Sequence, residues 1–553
     1  MKTNLENSLT SALTLTLSPG EREQPSRVLV LRMLVRQRQA HNISNMRRAI
    51  LPLLGERAGV RASVPPSFFG IFLPRRVTHR KQQHTKQEGL LLNVERRSDL
   101  FPLQSLLCSA LCALCVLLWQ SALADVHYVD ANSTNATPPY TNWATAATNI
   151  QDAVDAAAAG DEIVVTNGTY ATGGRTIDGV TTNRVVVDKG LKLRSVNGAR
   201  FTVIDGGGSV RCAYLTNGPS LSGFTLTNGA GGNGCGVSGG SPFFPAPYGG
   251  TLNNCTIINN RWANLGGGAI CCTLNNCTLT GNSGNFGAGA SHCTLNNCAL
   301  TGNSADSGSG AGAYSCTLNN CTLAGNYMNN GSGGGAASCT LNNCTLTGNS
   351  VNTYDLRFDV TTGGGADNST LNNCILMGNS ANDLSGGGFT ILGGGANHCT
   401  LNYCDLYENS PDAYNNTVNH PKNSNPLFVD TNGWANLRLQ PNSPCINDGN
   451  NSYVTNATDL DGNPRISGGT VDIGAYEFQW PRLTLIPYGA YVLLTWPTNN
   501  AGYDYTGFTL QSSTNLLSPV VWSTNSPAPV VIGGQNVVIN PRSGPQQFFR
   551  LKN

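Results

Sequence analysis

The stretch GGGAASCTLNNCTLTGNS, Gly333–Ser350, decides the fold. Close copies of its second half occur at seven places. They read TLNNCTIINN (Thr251–Asn260), CTLNNCTLTGNS (Cys272–Ser283), CTLNNCALTGNS (Cys293–Ser304) and CTLNNCTLAGNY (Cys316–Tyr327). CTLNNCTLTGNS (Cys339–Ser350), STLNNCILMGNS (Ser369–Ser380) and CTLNYCDLYENS (Cys399–Ser410) complete the series. The second cysteines, Cys255, Cys277, Cys298, Cys321, Cys344, Cys374 and Cys404, are separated by 22, 21, 23, 23, 30 and 30 residues. A GGGA-like segment precedes six copies. Such a period belongs to a solenoid. Within each copy, Cys-x-Leu alternates with period 2, breaks at Asn-Asn and resumes as Cys-x-Leu, which describes two short strands around a corner. Gly-Asn-Ser then ends the second strand. A repeat of about 22 residues with three short strands is one rung of a right-handed parallel β-helix, with rungs ~4.8 Å apart. Leucine-rich repeats have a similar length but need an L-x-x-L-x-L pattern that the copies lack.

Stacking turns each repeat position into a column. Leu columns fill the interior, Thr faces outward, and Asn columns at the corner can hydrogen-bond side chain to side chain. Cys272, Cys293, Cys316, Cys339 and Cys399 form one inward column, and the seven second cysteines form another. Neighbouring Cβ atoms in parallel rungs sit near the rung spacing, beyond the roughly 3.5–4.5 Å that disulfides prefer. The columns therefore read as buried thiols, with disulfide-stapled rungs as the alternative in an exported chain. One inward cysteine per rung builds no closed tetrahedral zinc cluster.

The net charge of +2 hides a split. Residues 1–99 hold 17 Lys+Arg against 7 Asp+Glu, leaving 16 against 24 in the rest. Phe101–Asp125, FPLQSLLCSALCALCVLLWQSALAD, is an apolar run ending in an Ala-Leu-Ala site and preceded by Arg96-Arg97, the plan of a secretory signal peptide. Residues 1–95 then read as translation from a start codon placed too early, 96–124 as the signal peptide, and the chain from Asp125 as exported. A nucleic-acid partner is not expected, because the basic block lies in that upstream segment. No later apolar run is long enough to span a membrane. The exported chain is expected to be a monomer, secreted or held at the outer cell surface.

Ala146–Tyr170 reads as a short helix and a strand, with Ile150, Val154 and Ala157 on one helix face and Gly160 as the stop. That helix would close the first rung, which otherwise exposes core and backbone. Here the residues carry a resemblance. IQDAVDAAAAGDEIVV, from Ile150, resembles the N-terminal cap of pectate-lyase-like β-helix proteins. The GGGA and L-x-G-N-S rungs are similar to polymorphic outer membrane protein repeats, with Leu in place of their Phe. Asn425–Phe478, containing LRLQPNSPCINDG and VDIGAYEF, resembles the choice-of-anchor Q module of secreted bacterial β-helix proteins. The expected organisation is a β-helix over 125–430, that module over 431–479, and a small fibronectin-like β-sandwich over 480–553. The sandwich rests on the short strands AYVLLTW, GFTLQSS, VVIGGQNVVIN and QQFFRL.

Chemistry is sparse. Between Thr251 and Ser410 the charged residues are Arg261, Asp306, Asp355, Arg357, Asp359, Asp367, Asp383, Asp405 and Glu408. Glycoside hydrolysis needs two carboxylates flanking one bond, and no such pair stands out. His292 and His398 share an outward column. The expected role is therefore non-catalytic, namely loop display for adhesion or for glycan or partner binding, with a polysaccharide lyase or glycoside hydrolase as the alternative. The segments between L-x-G-N-S and the GGGA-like run vary from rung to rung and leave from one corner, so stacking sets them along one edge. Candidate ligand residues there are Trp262, Tyr354, Asp355, Arg357, Phe358, Asp359, Asp383 and Phe389, with Arg261, Phe286 and Tyr327 beside them. Residues 351–360 are expected to be a removable appendage of this edge. No cofactor is implied, with one alternative: DLDGNPR places Asp459, Asp461 and Asn463 like the start of a Ca2+ loop, though Thr470 stands where a bidentate Glu belongs.

Overall fold

Each repeat closes because its corners carry residues that tolerate the left-handed backbone region. The second Asn of Asn-Asn takes φ near +50° in six rungs, for example 51° at Asn343, and the Gly of Gly-Asn-Ser does the same, with 59° at Gly348. Asn and Gly are the residues for which this conformation is least costly. The structure, a computed structural model, describes residues 124–553 apart from 178, 180, 243–248, 262, 355–359, 387–389, 431–434, 501, 525–526 and 543. The upstream segment and the signal peptide up to residue 123 lie outside the described residues.

Three sheets of 12, 10 and 11 strands, parallel but for the antiparallel pair Arg175–Ile177 and Thr181–Val187 in the third, run the length of the solenoid. The first stacks the Thr-Leu-Asn strands from Thr251–Asn253 to Thr417–Asn419, and the second stacks the strands that follow the corner, such as Thr345–Thr347. The third stacks the ends of the GGGA-like segments, such as Ala336–Ala337. Registry is exact along the first sheet: Leu274, Leu295, Leu318, Leu341, Leu371 and Leu401 align in turn and are fully buried. Each such side chain contributes about 2 kcal/mol of hydrophobic stabilisation. Both cysteine columns point inward and are buried, as expected, and the described cysteines stand as free thiols.

Two Asn ladders brace the rungs. The corner ladder expected from the sequence runs from Asn253 to Asn419, each Nδ2 donating to the preceding Oδ1, as from Asn342 to Asn319 at 2.9 Å. The second comes from Gly-Asn-Ser and lies wholly inside. Asn303 Nδ2 donates to Asn326 Oδ1 at 2.9 Å and to the Leu279 carbonyl at 3.0 Å, while its Oδ1 accepts the Asn282 backbone N–H at 3.1 Å. The GGGA-like segment packs against this ladder so closely that a Cβ on Gly335 would lie 3.1 Å from Asn349 Cγ and 2.5 Å from the Gly365 carbonyl oxygen. The glycines are there because nothing larger fits.

The sequence reading of three strands per rung is too few for the central rungs. After Gly-Asn-Ser the chain re-enters β structure. Ser304–Ala305, Tyr327–Asn329, Ser350–Thr353 and Ser380–Asp383 form a four-stranded sheet, and six further strands from Ala263–Leu265 to Thr390–Leu392 form another. Ala288, Ala305, Ala311, Met328 and Val351 make a small separate core beneath them.

At the N-terminal end, helix Ile150–Ala156 and its C-cap bury Ile150, Val154 and Ala157 as predicted, with Ala153 beside them, and Asn149 caps it by accepting the Asp152 N–H at 2.9 Å. Beyond the last rung the chain folds back on the solenoid. Phe428, Leu437, Leu439, Cys445 and Ile473 pack against Ile375 and Met377 of the second sheet. Asn320, Asn343 and Asn373 at the corner donate to the carbonyls of Thr458, Tyr453 and Asn450. The C-terminal segment is a two-sheet antiparallel sandwich of four and three strands around Leu494, Trp496, Leu510 and Val538.

Candidate binding edge

The variable segments do line one edge, but as paired strands rather than free loops. Tyr327 aligns with Ser304 and Ser350, and Thr353 aligns with Asp383. The Leu384 N–H continues that ladder by donating to the Thr353 carbonyl at 2.8 Å. Strand alternation then fixes which side chains face out. Val351 and Thr353 are buried, whereas Tyr327, Tyr354 and Leu384 are 42%, 54% and 54% exposed. Tyr354 is held at its backbone, whose N–H donates to Asn330 Oδ1 at 2.7 Å. Ile391, on the neighbouring six-stranded sheet, is also exposed. Tyr354 and Leu384 therefore form a short row on consecutive rungs, whereas Tyr327, in the register of Ser350, lies four residues off it along the strand direction.

Of the sequence candidates, Tyr354 sits on this row. Asp383 is beside it, its Oδ1 accepting the Ser385 N–H at 2.9 Å and the Ser385 hydroxyl at 2.6 Å. Trp262, Asp355, Arg357, Phe358, Asp359 and Phe389 lie outside the described residues. Phe286 turns toward the third sheet, its ring 5.3 Å from that of Tyr314, which in turn lies 5.8 Å from His292. Burial holds His292 below the usual imidazole range, so it is neutral at pH 7. Arg261 is exposed near the first repeats, bordering a depression of about 300 Å³ with Asn228 and Asn259. Leu384 and Ile391 were missed in the sequence because isolated aliphatic residues in a variable segment give no signal until register sets them on one face.

Residues 351–353 are no appendage: Val351 belongs to the small core and Ser350–Thr353 pairs on both sides, while 355–359 lie outside the described residues. The Ca2+ alternative also fails on geometry. Asp459 is fully buried, its Oδ1 accepting the N–H groups of Asp461 and Asn463 at 3.0 and 2.8 Å and its Oδ2 that of Glu477 at 3.0 Å. Asp461 gives both oxygens to Arg438, at 2.6 and 2.5 Å. With these carboxylate oxygens already taken, the loop does not fit a cation; it closes as a self-bonded turn. Around it, buried Arg465 donates to the carbonyls of Asp472 and Gly474, and Glu477 accepts the N–H groups of Ser467 and Asp472. Burial, reinforced by the neighbouring Asp472, raises the Glu477 carboxyl well above its ordinary range.

Among the described acids of the repeats, Asp405 is fully buried, bonded to the Ser424 N–H and the Cys445 thiol, and Asp367 accepts from Asn397. These carboxylates hold structure rather than face a ligand. The arrangement can bind along a line.

Stacked parallel sheets, continuous inward columns and a helix-closed first rung define a right-handed parallel β-helix protein with a C-terminal β-sandwich. No protein-family model matches the chain, and no curated protein matches it. Among solved structures it is similar to pectate lyase Pel9A, at 16% identity over 64% of this chain and 97% of that one, with a TM-score of 0.38. It is also similar to the A-module of the Azotobacter vinelandii mannuronan C-5 epimerase AlgE4, at 14% identity over 47% and 70% of the two chains, with a TM-score of 0.27. A rhamnogalacturonan lyase gives 11% identity over 52% and 75%, also with a TM-score of 0.27. At these scores the likenesses carry no argument about activity.

Proposed function

We propose that this is an exported, non-catalytic β-helix protein that binds a glycan chain or a surface partner along the edge built by its variable segments. The observation that carries the reading is the pair Tyr354 and Leu384, exposed side by side on two register-locked rungs, with Tyr327 exposed farther along the same sheet. Exposed aromatic faces suit sugar rings, and solenoids commonly place binding on the edge where repeats vary. Asp367 and Asp405 are engaged in internal hydrogen bonds, which supports binding over hydrolysis. The signal-peptide pattern and the likeness of 431–479 to a choice-of-anchor Q module support a place outside the cell or on its surface. Among the described residues, no helix is long and apolar enough to cross a membrane.

A glycan array followed by titration of the best ligand tests this. Tyr327→Ala with Tyr354→Ala should weaken binding at least tenfold without changing the thermal midpoint. Undiminished binding by the double variant would refute the edge. Release of shortened or unsaturated sugar products would establish the lyase or hydrolase reading in its place.

A further inference from the structure

The solenoid has one closed end and one open end. At the N-terminal end, the edge strand Val126–Val129 gives its outer backbone groups to a covering loop. Tyr128 N–H donates to the Tyr140 carbonyl at 2.8 Å, the Tyr128 carbonyl accepts the Ala147 N–H at 2.9 Å, and Asp130 N–H donates to the Ala147 carbonyl at 2.8 Å. The helix after it seals the core, with Gln151 bonded through both ends of its amide to the Val186 backbone.

Among the described residues the other end has no such cover. Its last rung consists of Ala413–Tyr414, Thr417–Asn419 and Lys422, which bridges to Asp405. Val418 stands in the column of Leu401, yet it is 41% exposed where Leu401 is fully buried. Ala413 ends the Ala396 column and is exposed too, as is every residue of 417–421. The stretch 413–421, AYNNTVNHP, carries no Lys, Arg, Asp or Glu. Proteins usually protect a free edge with charge or a covering element, because unpaired strand groups recruit another strand.

We propose that a second copy of this chain closes the open end, tail to tail, about a two-fold axis through Val418. The existing rung-to-rung ladder gives the reason. The closed N-terminal end of another copy offers no free edge, so head-to-tail stacking has nothing to pair with. The matching surface is the open end itself. A two-fold axis in the plane of the last rung reverses strand direction, so Thr417–Asn419 pairs with itself antiparallel. Val418 then faces Val418 of the second copy inside the joined core, and Thr417 lies opposite Asn419. Asn419 donates its Nδ2 to Asn402 Oδ1 at 2.7 Å, leaving its Oδ1 to accept the Thr417 hydroxyl across the axis. The same rotation lays Ala413–Tyr414 of one copy against the Lys422 segment of the other. The contact is isologous, so it stops at two copies. In place of the monomer expected from sequence, the proposal gives a dimer with two binding edges.

Sedimentation equilibrium on the purified full chain tests the stoichiometry. The expected result is twice the chain mass at micromolar concentration, falling to the single mass for Val418→Lys. A second variant guards against loss of folding. Val418→Cys should form a disulfide-linked dimer on mild oxidation, seen on a non-reducing gel, whereas Thr251→Cys, far from that end, should not. A wild-type chain of single mass overturns the proposal, as do longer stacks or Val418→Cys chains that fail to cross-link.

Discussion

Replacing Asn303 by Ala isolates what the inner Asn ladder contributes. Asn303 is fully buried, and its side chain makes four hydrogen bonds: to the Leu279 carbonyl, to Asn326 Oδ1, and from the N–H and amide of Asn282. Asn326 Oδ1 keeps a partner after the change, because it also accepts the backbone N–H of residue 303 at 3.0 Å. Two groups are left without one, the Asn282 backbone N–H and one Asn282 amide N–H, since the Leu279 carbonyl lies in the parallel ladder with Ala299–Thr301. Each buried orphan costs about 1–3 kcal/mol, so the loss is on the order of 4 kcal/mol. Asn296 lies in the same rung on the outer ladder, half-buried, bonded to Asn275 and Asn319 at 2.9 Å. Water can replace those partners, so Asn296→Ala should cost only about 1 kcal/mol. Urea unfolding of both variants, followed by circular dichroism, makes the comparison within one rung. Equal costs for the two would refute the claim that the inner ladder, through burial, is a main brace of the solenoid.

Three further outcomes follow from the same structure. Val351→Ala should destabilise by about 2 kcal/mol, because Val351 fills the small core, while Tyr354→Ala leaves the unfolding midpoint unchanged; a neutral Val351→Ala would dissolve that core. Burial pushes the thiols of Cys255, Cys272, Cys293 and Cys316 well up, so native protein should resist a thiol reagent at pH 8. After unreduced denaturation most of the sixteen described cysteines should titrate, and a large shortfall would mean stapled rungs. Glu477 is raised on folding, so the stability it supports is complete below its unfolded value of about 4.3 and is lost as pH rises through the folded value. The wild-type midpoint should fall between pH 5 and 9, and Glu477→Gln should flatten that slope; parallel slopes would contradict the assignment.

Much of the solenoid was legible because a short repeat has few ways to bury its apolar face. Cys-x-Leu on both sides of Asn-Asn fixed two strands, their inward columns and the corner. The outer Asn ladder followed from stacking alone. The inner ladder was not legible, since Gly-Asn-Ser reads as a strand end whether its Asn turns in or out. Neither were the two added sheets, because Tyr-Met-Asn, Ser-Val-Asn-Thr and Ser-Ala-Asn-Asp share only an apolar residue followed by Asn, too short a pattern to read as a strand. They pair because the rungs beneath hold them in line.

Repetition of one apolar pattern thus determined the fold class, the parallel stacking and the placement of variation on one edge, since every rung must present the same column to its neighbours. The tertiary structure alone decided which variable side chains are exposed, because Val351 and Tyr354 differ only in strand alternation. It alone decided that the DLDGNPR oxygens go to Arg438 and backbone N–H groups instead of a cation, because those donors arrive from Arg438 and Glu477, distant in sequence. And it alone revealed an uncovered last rung, since whether a solenoid ends closed depends on where the rest of the chain folds.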